Sequence, residues 1–338
     1  MRNRHVWVAV AVIASLMAGC TTPAGGRWPQ DGVVSPRSGR RPAVVVPAKQ
    51  FAFSVATERS KYLVGEPVYV AITLRNISGD TQRVTSSLRP EDGAVHIVIA
   101  SPDGKQREFV PLGEADHDAT VYSRLAPGET IGNVTPIFFG GNGWTFSTPG
   151  RYTVTAYFRL PDGKGAVLES KSQPLVIEIQ PSPEGSSLIR EGGPATAEVG
   201  KFLTWQSGDH LEKGRARLRE LMDRSPDSVL TSYAHFAFAR GWGDAFMNYG
   251  KREVRPPNCE LALQHLSKVR DEHVTGYVRL QGAITAARCM VRAKNSEAAR
   301  RYIGISKEIT RDRPEYREIA ARASDLEQYV NRNLKDLP

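Results

Sequence analysis

The chain has 338 residues, which leaves room for about two domains of 100–150 residues plus tails. Hydrophobic residues make up 40% of the chain and charged residues 24%, and these fractions are ordinary for a globular protein. The formal net charge of +9 suits anionic lipid headgroups or acidic partners, or reflects an Arg-rich composition without a specific ligand. Nucleic acid is not the expected partner, because the pattern of the first 20 residues predicts export.

The first 20 residues have the pattern of an export signal. Arg2 and Arg4 precede an apolar run over 6–18, which is shorter than the roughly 20 residues of a membrane-spanning helix. Residues 16–20, with the sequence LMAGC, resemble the lipobox of bacterial lipoproteins, although the family favours Leu where Met17 stands. The resemblance implies a signal peptide over 1–19 and a lipid-modified Cys20 as the mature N-terminus. The alternative is an ordinary signal peptide with a chance cysteine.

Residues 20–50 are predicted to be a flexible tether. Pro and Gly are frequent and few apolar residues occur, so the segment cannot bury enough surface to offset the entropy of ordering. Its r.m.s. reach is roughly 30 Å. Thr21 stands where the lipoprotein family uses Asp to retain proteins at the inner membrane. The resemblance therefore implies a lipid-anchored protein of the cell envelope, at the outer membrane and facing the periplasm.

Period-two hydrophobicity predicts an antiparallel β-sandwich over 51–181. The alternation is clear at 68–74 and at 152–158, and turn dipeptides separate the predicted strands. Gly150 lies two residues before Tyr152 at a strand start, which is similar to the tyrosine corner of immunoglobulin-like domains. The segment resembles bacterial Ig-like modules, including those related to secreted proteinase-inhibitor domains. This resemblance implies a fold and no single function.

The periodicity changes to 3.6 in the last part of the chain. A Gly- and Pro-rich stretch over 182–197 is predicted to be a linker, and 198–338 is predicted to be an α-helical domain. Capping residues and apolar spacing predict helices near 198–206, 209–223, 226–240, 259–269, 274–293, 296–310 and 314–332.

Two of these helices begin with similar sequences. Glu260 and Glu297 occupy equivalent positions 37 residues apart, and small residues recur after each of them. The pattern resembles degenerate tetratricopeptide-type (TPR-like) repeats, whose unit is about 34 residues. The resemblance implies a concave surface that binds peptides or proteins. A plain helical bundle without a ligand is the alternative.

Cys259 and Cys289 are predicted to form a disulfide. If Cys20 carries lipid, these two cysteines remain, an even number that can pair in an oxidising compartment. They also fall at predicted helix ends that meet in an antiparallel hairpin. A metal pair lacks the usual ligand spacing. Cys289 as a nucleophile would need a base, and nothing in the sequence orients His265 or His273.

Few other residues suggest a site. Asp116, His117 and Asp118 are either a metal-binding cluster or, as we expect, a solvated loop. Trp144 is either a ligand platform on a Gly-rich loop or, as we expect, a core anchor between sheets. One aromatic group either lines a groove or, as we expect, forms the core of the leading helices: Trp205, Tyr233, Phe236, Phe238, Trp242 and Phe246.

The sequence contains no Gly-rich phosphate loop, G-x-S-x-G, H-E-x-x-H or EF-hand motif. It therefore predicts no catalytic residue, no cofactor and no metal ion. The preferred hypothesis is a non-catalytic protein-binding or scaffold module that acts with other envelope proteins in envelope assembly or maintenance. The alternatives are a protease inhibitor that uses an Ig-like loop at 140–144, and a hydrolase with a cleft at the domain junction.

Overall fold

The computed structural model describes residues 44–113, 121–161, 166–190, 193–248 and 250–334. Strands dominate up to residue 180, here called the β region, and helices dominate from residue 183, here called the helical region. The strands are β1 (Val44–Pro47), β2 (Phe51–Ala56), β3 (Lys61–Leu63), β4 (Tyr69–Asn76), β5 (Gln82–Thr85), β6 (Val95–Ala100), β7 (Gln106–Glu108), β8 (Tyr122–Leu125), β9 (Thr130–Pro136), β10 (Phe139–Gly140), β11 (Gly143–Trp144), β12 (Gly150–Pro161), β13 (Ala166–Lys171), β14 (Leu175–Gln180), β15 (Phe246–Asn248) and β16 (Glu253–Arg255). The helices are α1 (Pro183–Arg190), α2 (Gly193–Trp205), α3 (Glu212–Arg224), α4 (Val229–Gly243), α5 (Cys259–Leu266), α6 (Gly276–Arg292), α7 (Ser296–Thr310) and α8 (Arg317–Asn333).

Two sheets of the β region share one core. The larger sheet has the order β1-β13-β12-β14-β3, with β6 along the opposite edge of β12 and β7 beside β6; the smaller has the order β2-β4-β9. Alternate residues of β12 are buried, as their period-two pattern predicts. The ring of Phe158 lies 5.8 Å from Phe51 and 5.9 Å from Phe53 of the other sheet. The predicted antiparallel pairing is confirmed for most of these strands, but β1 and β3 pair in parallel.

A tyrosine fixes the start of β12. The hydroxyl of Tyr152 donates to the backbone oxygen of Thr148 at 3.0 Å, and the Thr148 backbone N–H donates to that hydroxyl at 3.4 Å. Between them, Gly150 has φ +139°, and a Cβ atom there would overlap the ring of Pro102. Glycine is required at this position both by the backbone angle and by the lack of space.

The segment predicted to be a linker is helical, which corrects the expectation for 182–197. It contains α1 and the first turn of α2. Pro183 begins α1, a position that does not need its missing N–H. Gly185 packs so closely that a Cβ atom would overlap the Val64 carbonyl. The glycine and proline residues that suggested a linker at a domain boundary therefore serve helix initiation and close packing.

The leading helices α1–α4 complete the core of the β region. Val199, Phe202, Leu218 and Ala234 belong to the same buried cluster as the residues of both sheets. Residues from 43 onward form one compact unit by their contacts. The β region and the leading helices thus share a continuous core, and the predicted boundary falls inside it.

The remaining helices lie within a few residues of their predicted limits, and the strand-to-helix order along the chain is confirmed. Residues 314–316 form a 3-10 turn before α8, where the prediction had the helix itself. The two-stranded hairpin β15–β16, here called the hairpin, was not predicted. In the ranges that the structure describes, no helix has the length and apolar character needed to span a membrane.

Candidate functional site

The two cysteines of the helical region are bonded to each other. Cys259 is the first residue of α5 and Cys289 lies near the end of α6, with Cα atoms 5.2 Å apart. The predicted disulfide is confirmed, and the metal-pair and nucleophile alternatives for Cys289 are excluded by the bond. His265 pairs instead with His235, Nδ1 to Nδ1 at 2.9 Å, and burial lowers the pKa of both rings to about 4.

The other predicted site residues divide between the core and the parts outside the structure. Cys20 and the Asp116–His117–Asp118 stretch lie outside the described residues. Trp144 is 9% exposed, and its indole N–H donates to the backbone oxygen of Thr196 at 3.3 Å. It is therefore a core anchor, as expected, but it joins the β10–β11 turn to α2 rather than one sheet to another.

The predicted aromatic group is split. Tyr233, Phe236 and Phe238 are buried in α4, as expected for a core. Trp205, at the end of α2, is 46% exposed and lines a cavity. Sequence periodicity could not separate Trp205 from its buried neighbours, because its surroundings depend on residues far away in the chain.

This cavity, here called the junction cleft, lies between the β region and the helical region. Its volume is about 530 Å³, which is within the range of ligand sites. The β region contributes Arg89, Glu91, Asp92, Phe109, Pro136 and Phe139. The helical region contributes the ends or faces of α2, α4, α6 and α8, including Trp205, Arg240, Tyr277, Glu318, Ile319 and Arg322.

A polar network surrounds Arg240 in this cleft. The Arg240 side chain is 15% exposed; its Nε donates to Gln206 at 3.3 Å and its Nη1 to Thr285 at 3.2 Å. The amide of Gln281 donates to the Tyr277 hydroxyl at 3.3 Å. Burial lowers the pKa of Arg240 and raises that of Tyr277, but an arginine stays protonated at physiological pH. Both side chains are thus hydrogen-bond donors in the physiological range.

Charged pairs cross the junction at the side of α8. Glu318 accepts hydrogen bonds from Arg89 of the β region and from Arg322, the latter at 2.9 Å. Arg317 donates to Glu129 at 3.0 Å. Glu91, on a 3-10 turn beside Arg89, has its pKa raised by burial.

A partly exposed carboxylate, Glu58, ties the start of α6 to the β region. Glu58 accepts hydrogen bonds from the Gly276 backbone N–H at 2.6 Å and from the Tyr316 hydroxyl at 2.5 Å, and it pairs with Arg313 at 3.3 Å. Burial opposes ionisation of Glu58, but these hydrogen bonds and the Arg313 charge together hold its pKa below the usual value. The walls of the junction cleft are therefore fixed by contacts on both sides.

The mouth of the cleft continues toward the hairpin. The Trp205 ring lies 6.4 Å from His210, which stacks on Phe246 of β15 at 5.8 Å. On the hairpin, Met247 and Val254 are a cross-strand pair and are 44% and 57% exposed. The Trp205 side of the cleft is thus connected to this exposed apolar pair through His210 and Phe246.

The chemistry available in the cleft is that of guanidinium, carboxylate, phenol and aromatic groups. Among the described residues that line it there is no histidine and no cysteine. Within the described ranges, no group of three or more His, Cys, Asp or Glu side chains is placed to hold a metal ion. The Arg240 network was missed at the sequence level, because Gln206 follows α2, Arg240 lies on α4 and Tyr277 lies on α6, and the three share no local motif.

Comparisons with known proteins yield no assignment. No family model matches the chain, and no curated protein matches it. A β-glucosidase from Erythrobacter marinus aligns at 17% identity with TM-score 0.22, over 38% of this chain and only 15% of its own length. The sporulation control protein Spo0M from Bacillus subtilis aligns at 11% identity with TM-score 0.24, over 46% of this chain and 54% of its own.

A CARDB domain from Pyrococcus furiosus aligns at 11% identity with TM-score 0.22, over 38% of this chain and 94% of its own length. Likeness at this level supports no inference about the fold or the function of this chain.

Proposed function

We propose that this chain is a lipid-anchored envelope protein that binds another protein, without catalysis, and acts in envelope assembly or maintenance. The observation that carries this proposal is the junction cleft, with its mixed charged and aromatic lining. Such a lining, next to exposed apolar residues, is typical of a recognition surface. Contacts of Glu58 and Glu318 also join the two walls of the cleft.

The location forms part of the same proposal. The LMAGC stretch at 16–20 and the Pro- and Gly-rich segment after it support a lipid on Cys20 and a tether of roughly 30 Å reach. Mass spectrometry of the mature protein tests this directly. An acylated Cys20 at the N-terminus is expected, and a mature protein that begins elsewhere or carries no lipid rejects the anchor. Cys20→Ser should release the protein from membranes.

The finer fold assignments are also proposals. The hydrogen bond from Tyr152 to Thr148 and the shared core of the two sheets support an immunoglobulin-like sandwich for the β region. The pairing of the start of α5 with the end of α6 supports a helical hairpin of the kind found in TPR-like repeats. Both folds are used widely for protein binding.

Site-specific photocrosslinking in intact cells tests protein binding. A photoreactive residue at position 205 should give one reproducible crosslinked product, because Trp205 lines the mouth of the cleft. Tyr329 on α8 is the matched control, since it is 47% exposed but lies outside the cleft lining. Equal crosslinking from both positions, or none from position 205, contradicts the proposal.

A hydrolase acting in the junction cleft is the second candidate. It is favoured by Glu91, whose raised pKa in a cleft is what a general acid requires. The purified protein would be assayed with chromogenic esters, peptides and glycosides. Glu91→Gln should abolish any turnover, whereas Glu253→Gln, at an exposed site on the hairpin, should leave it unchanged. Absence of turnover with every substrate class rejects this candidate.

A further inference from the structure

The charges around the junction cleft are unevenly distributed. The Tyr277 phenol lies within electrostatic reach of three guanidinium groups, those of Arg240, Arg322 and Arg89. Glu318 accepts hydrogen bonds from both Arg89 and Arg322, and Glu91 and Asp92 also lie beside Arg89. Positive charge is therefore concentrated at the Arg240 end of the cleft.

The acidic partner of Arg240 is shared with other arginines. Asp244 lies 3.7 Å from Arg240, but both of its carboxylate oxygens accept hydrogen bonds from Arg288, at 2.8 and 3.0 Å. Arg292 also approaches Asp244 at 3.9 Å. The single carboxylate of Asp244 thus pairs with three guanidinium groups. This leaves an excess of positive charge next to the largely buried Arg240 side chain.

Two donors at this end have hydrogens to spare. Arg240 uses Nε and Nη1 for its hydrogen bonds, and no described residue accepts one from its Nη2. The Tyr277 hydroxyl accepts a hydrogen bond from Gln281. No described residue accepts a hydrogen bond from the Tyr277 hydroxyl proton. A group with only acceptors matches this pair of donors, and a carboxylate also matches the planar fork of the guanidinium.

The rest of the cleft is suited to an apolar group. Phe109, Phe139, Trp205 and Ile319 line the same cavity. A ligand that fills it would therefore carry a carboxylate next to an aliphatic or aromatic side chain. The C-terminal residue of a polypeptide has this arrangement, and binding of termini at such sites is a recurring mode of peptide recognition.

We propose that the junction cleft binds the C-terminal carboxylate of a partner polypeptide through Arg240 and Tyr277, with an apolar last side chain packed against Trp205 and Phe109. This inference rests on the proposed protein-binding function and names the chemistry that the partner presents. A free small molecule with the same two groups would use the same contacts, so the test includes one.

The test measures binding to the intact lipidated protein in detergent. The probes are labelled hexapeptides, one for each amino acid as last residue, each with a free carboxylate or an amidated C-terminus. Free-acid peptides with apolar ends should bind about tenfold more tightly than their amides, because a charged hydrogen-bonded pair is lost on amidation. N-acetylphenylalanine is the small-molecule probe. If this compound binds and none of the peptides does, the ligand is a small molecule and the inference of a polypeptide ligand is overturned.

Three variants locate the site. Arg240→Gln should reduce free-acid binding about tenfold to the level of the amide, and Arg279→Gln, on an exposed face of α6, should leave it unchanged. Tyr277→Phe keeps the ring and removes the spare donor, so it tests the site even if Arg240→Gln does not fold. Equal binding of acid and amide, or unchanged binding by a folded Arg240→Gln or Tyr277→Phe protein, overturns the inference. In that case crosslinking from position 205 still decides the proposed function separately.

Discussion

The helical region is joined to the β region in two different ways. The leading helices α1–α4 share an apolar core with the sheets, and the Trp144 indole is the polar link to α2. The trailing helices α6 and α8 share a smaller apolar cluster with the sheets, through Tyr69 and Val134, and add charged contacts with Glu58, Arg89 and Glu129 on the β side. Apolar burial is insensitive to salt and pH, whereas ion pairs and carboxylate hydrogen bonds respond to both. The trailing junction should therefore respond more strongly to salt and pH than the leading junction.

The disulfide gives the largest expected effect, and it acts on the trailing side alone. A Cys259→Ser/Cys289→Ser double variant should lose about 3–4 kcal/mol, because the bond closes a loop with a sequence separation of 30 residues. Hydrogen exchange should accelerate in α5 and α6 while α2 and α4 keep their protection. Equal loss of protection in all four helices would remove the distinction between the two sides.

Gly200 tests the apolar junction. A Cβ atom at this position of α2 would overlap the ring of the buried residue Phe139, so Gly200→Ala should destabilise the protein by about 2 kcal/mol. Gly304→Ala in α7 is the matched control, because nothing lies within 4 Å of its added methyl group. The control should be neutral or stabilising by about 0.5–1 kcal/mol. Urea unfolding curves measure both changes, and similar values for the two would contradict the packing argument.

Glu58 tests the polar junction and its dependence on pH. Its pKa is lowered in the folded protein, so its ionised form stabilises the fold fully above the unfolded pKa of about 4.3, and this contribution is lost as the pH falls through the folded pKa. Glu58→Gln should cost about 1 kcal/mol at pH 7, after allowance for partial solvent exposure.

The difference between the Glu58→Gln variant and the parent protein should shrink below about pH 4. Unfolding curves at several pH values measure this change, and Glu253→Gln on the hairpin provides the reference. A constant difference across the pH range would mean that the carboxylate charge of Glu58 is not responsible.

The smallest effect is expected from the exposed pair between Arg317 and Glu129. Side chains in such pairs remain hydrated and are screened by salt, so Arg317→Gln should leave the unfolding midpoint unchanged at physiological ionic strength. A midpoint lowered as much as by Glu58→Gln would show that the polar contacts act as one cooperative network.

Local patterns predicted the elements more successfully than the relations between them. The alternation of Tyr152, Val154 and Phe158 gave the strand, and a 3.6-residue period around Leu280 gave α6, because both signals are local. The prediction of a linker over 182–197 was wrong, since glycine and proline also occur where helices begin or pack closely. Glycine is required at position 185 because the Val64 carbonyl packs against it. Val64 lies 121 residues earlier in the chain, so a local sequence pattern cannot predict this contact.

The candidate site could not be predicted for the same reason. Arg240, Tyr277 and Arg89 lie in stretches that look ordinary by themselves, and only the fold brings them to one cavity. The disulfide was predictable because helix direction places Cys259 and Cys289 at neighbouring ends. Contacts between side chains could therefore be predicted from the sequence only where the local geometry of neighbouring helices determined which residues meet.

The shared core has a consequence for how the chain is made. A ribosome releases the β region first, while Phe139 still lacks the helix that covers it at Gly200. Until α2 has emerged and docked, the nascent protein exposes an apolar face of the kind that holdase chaperones bind. The core of the β region can therefore be completed only after α2 has been added to it.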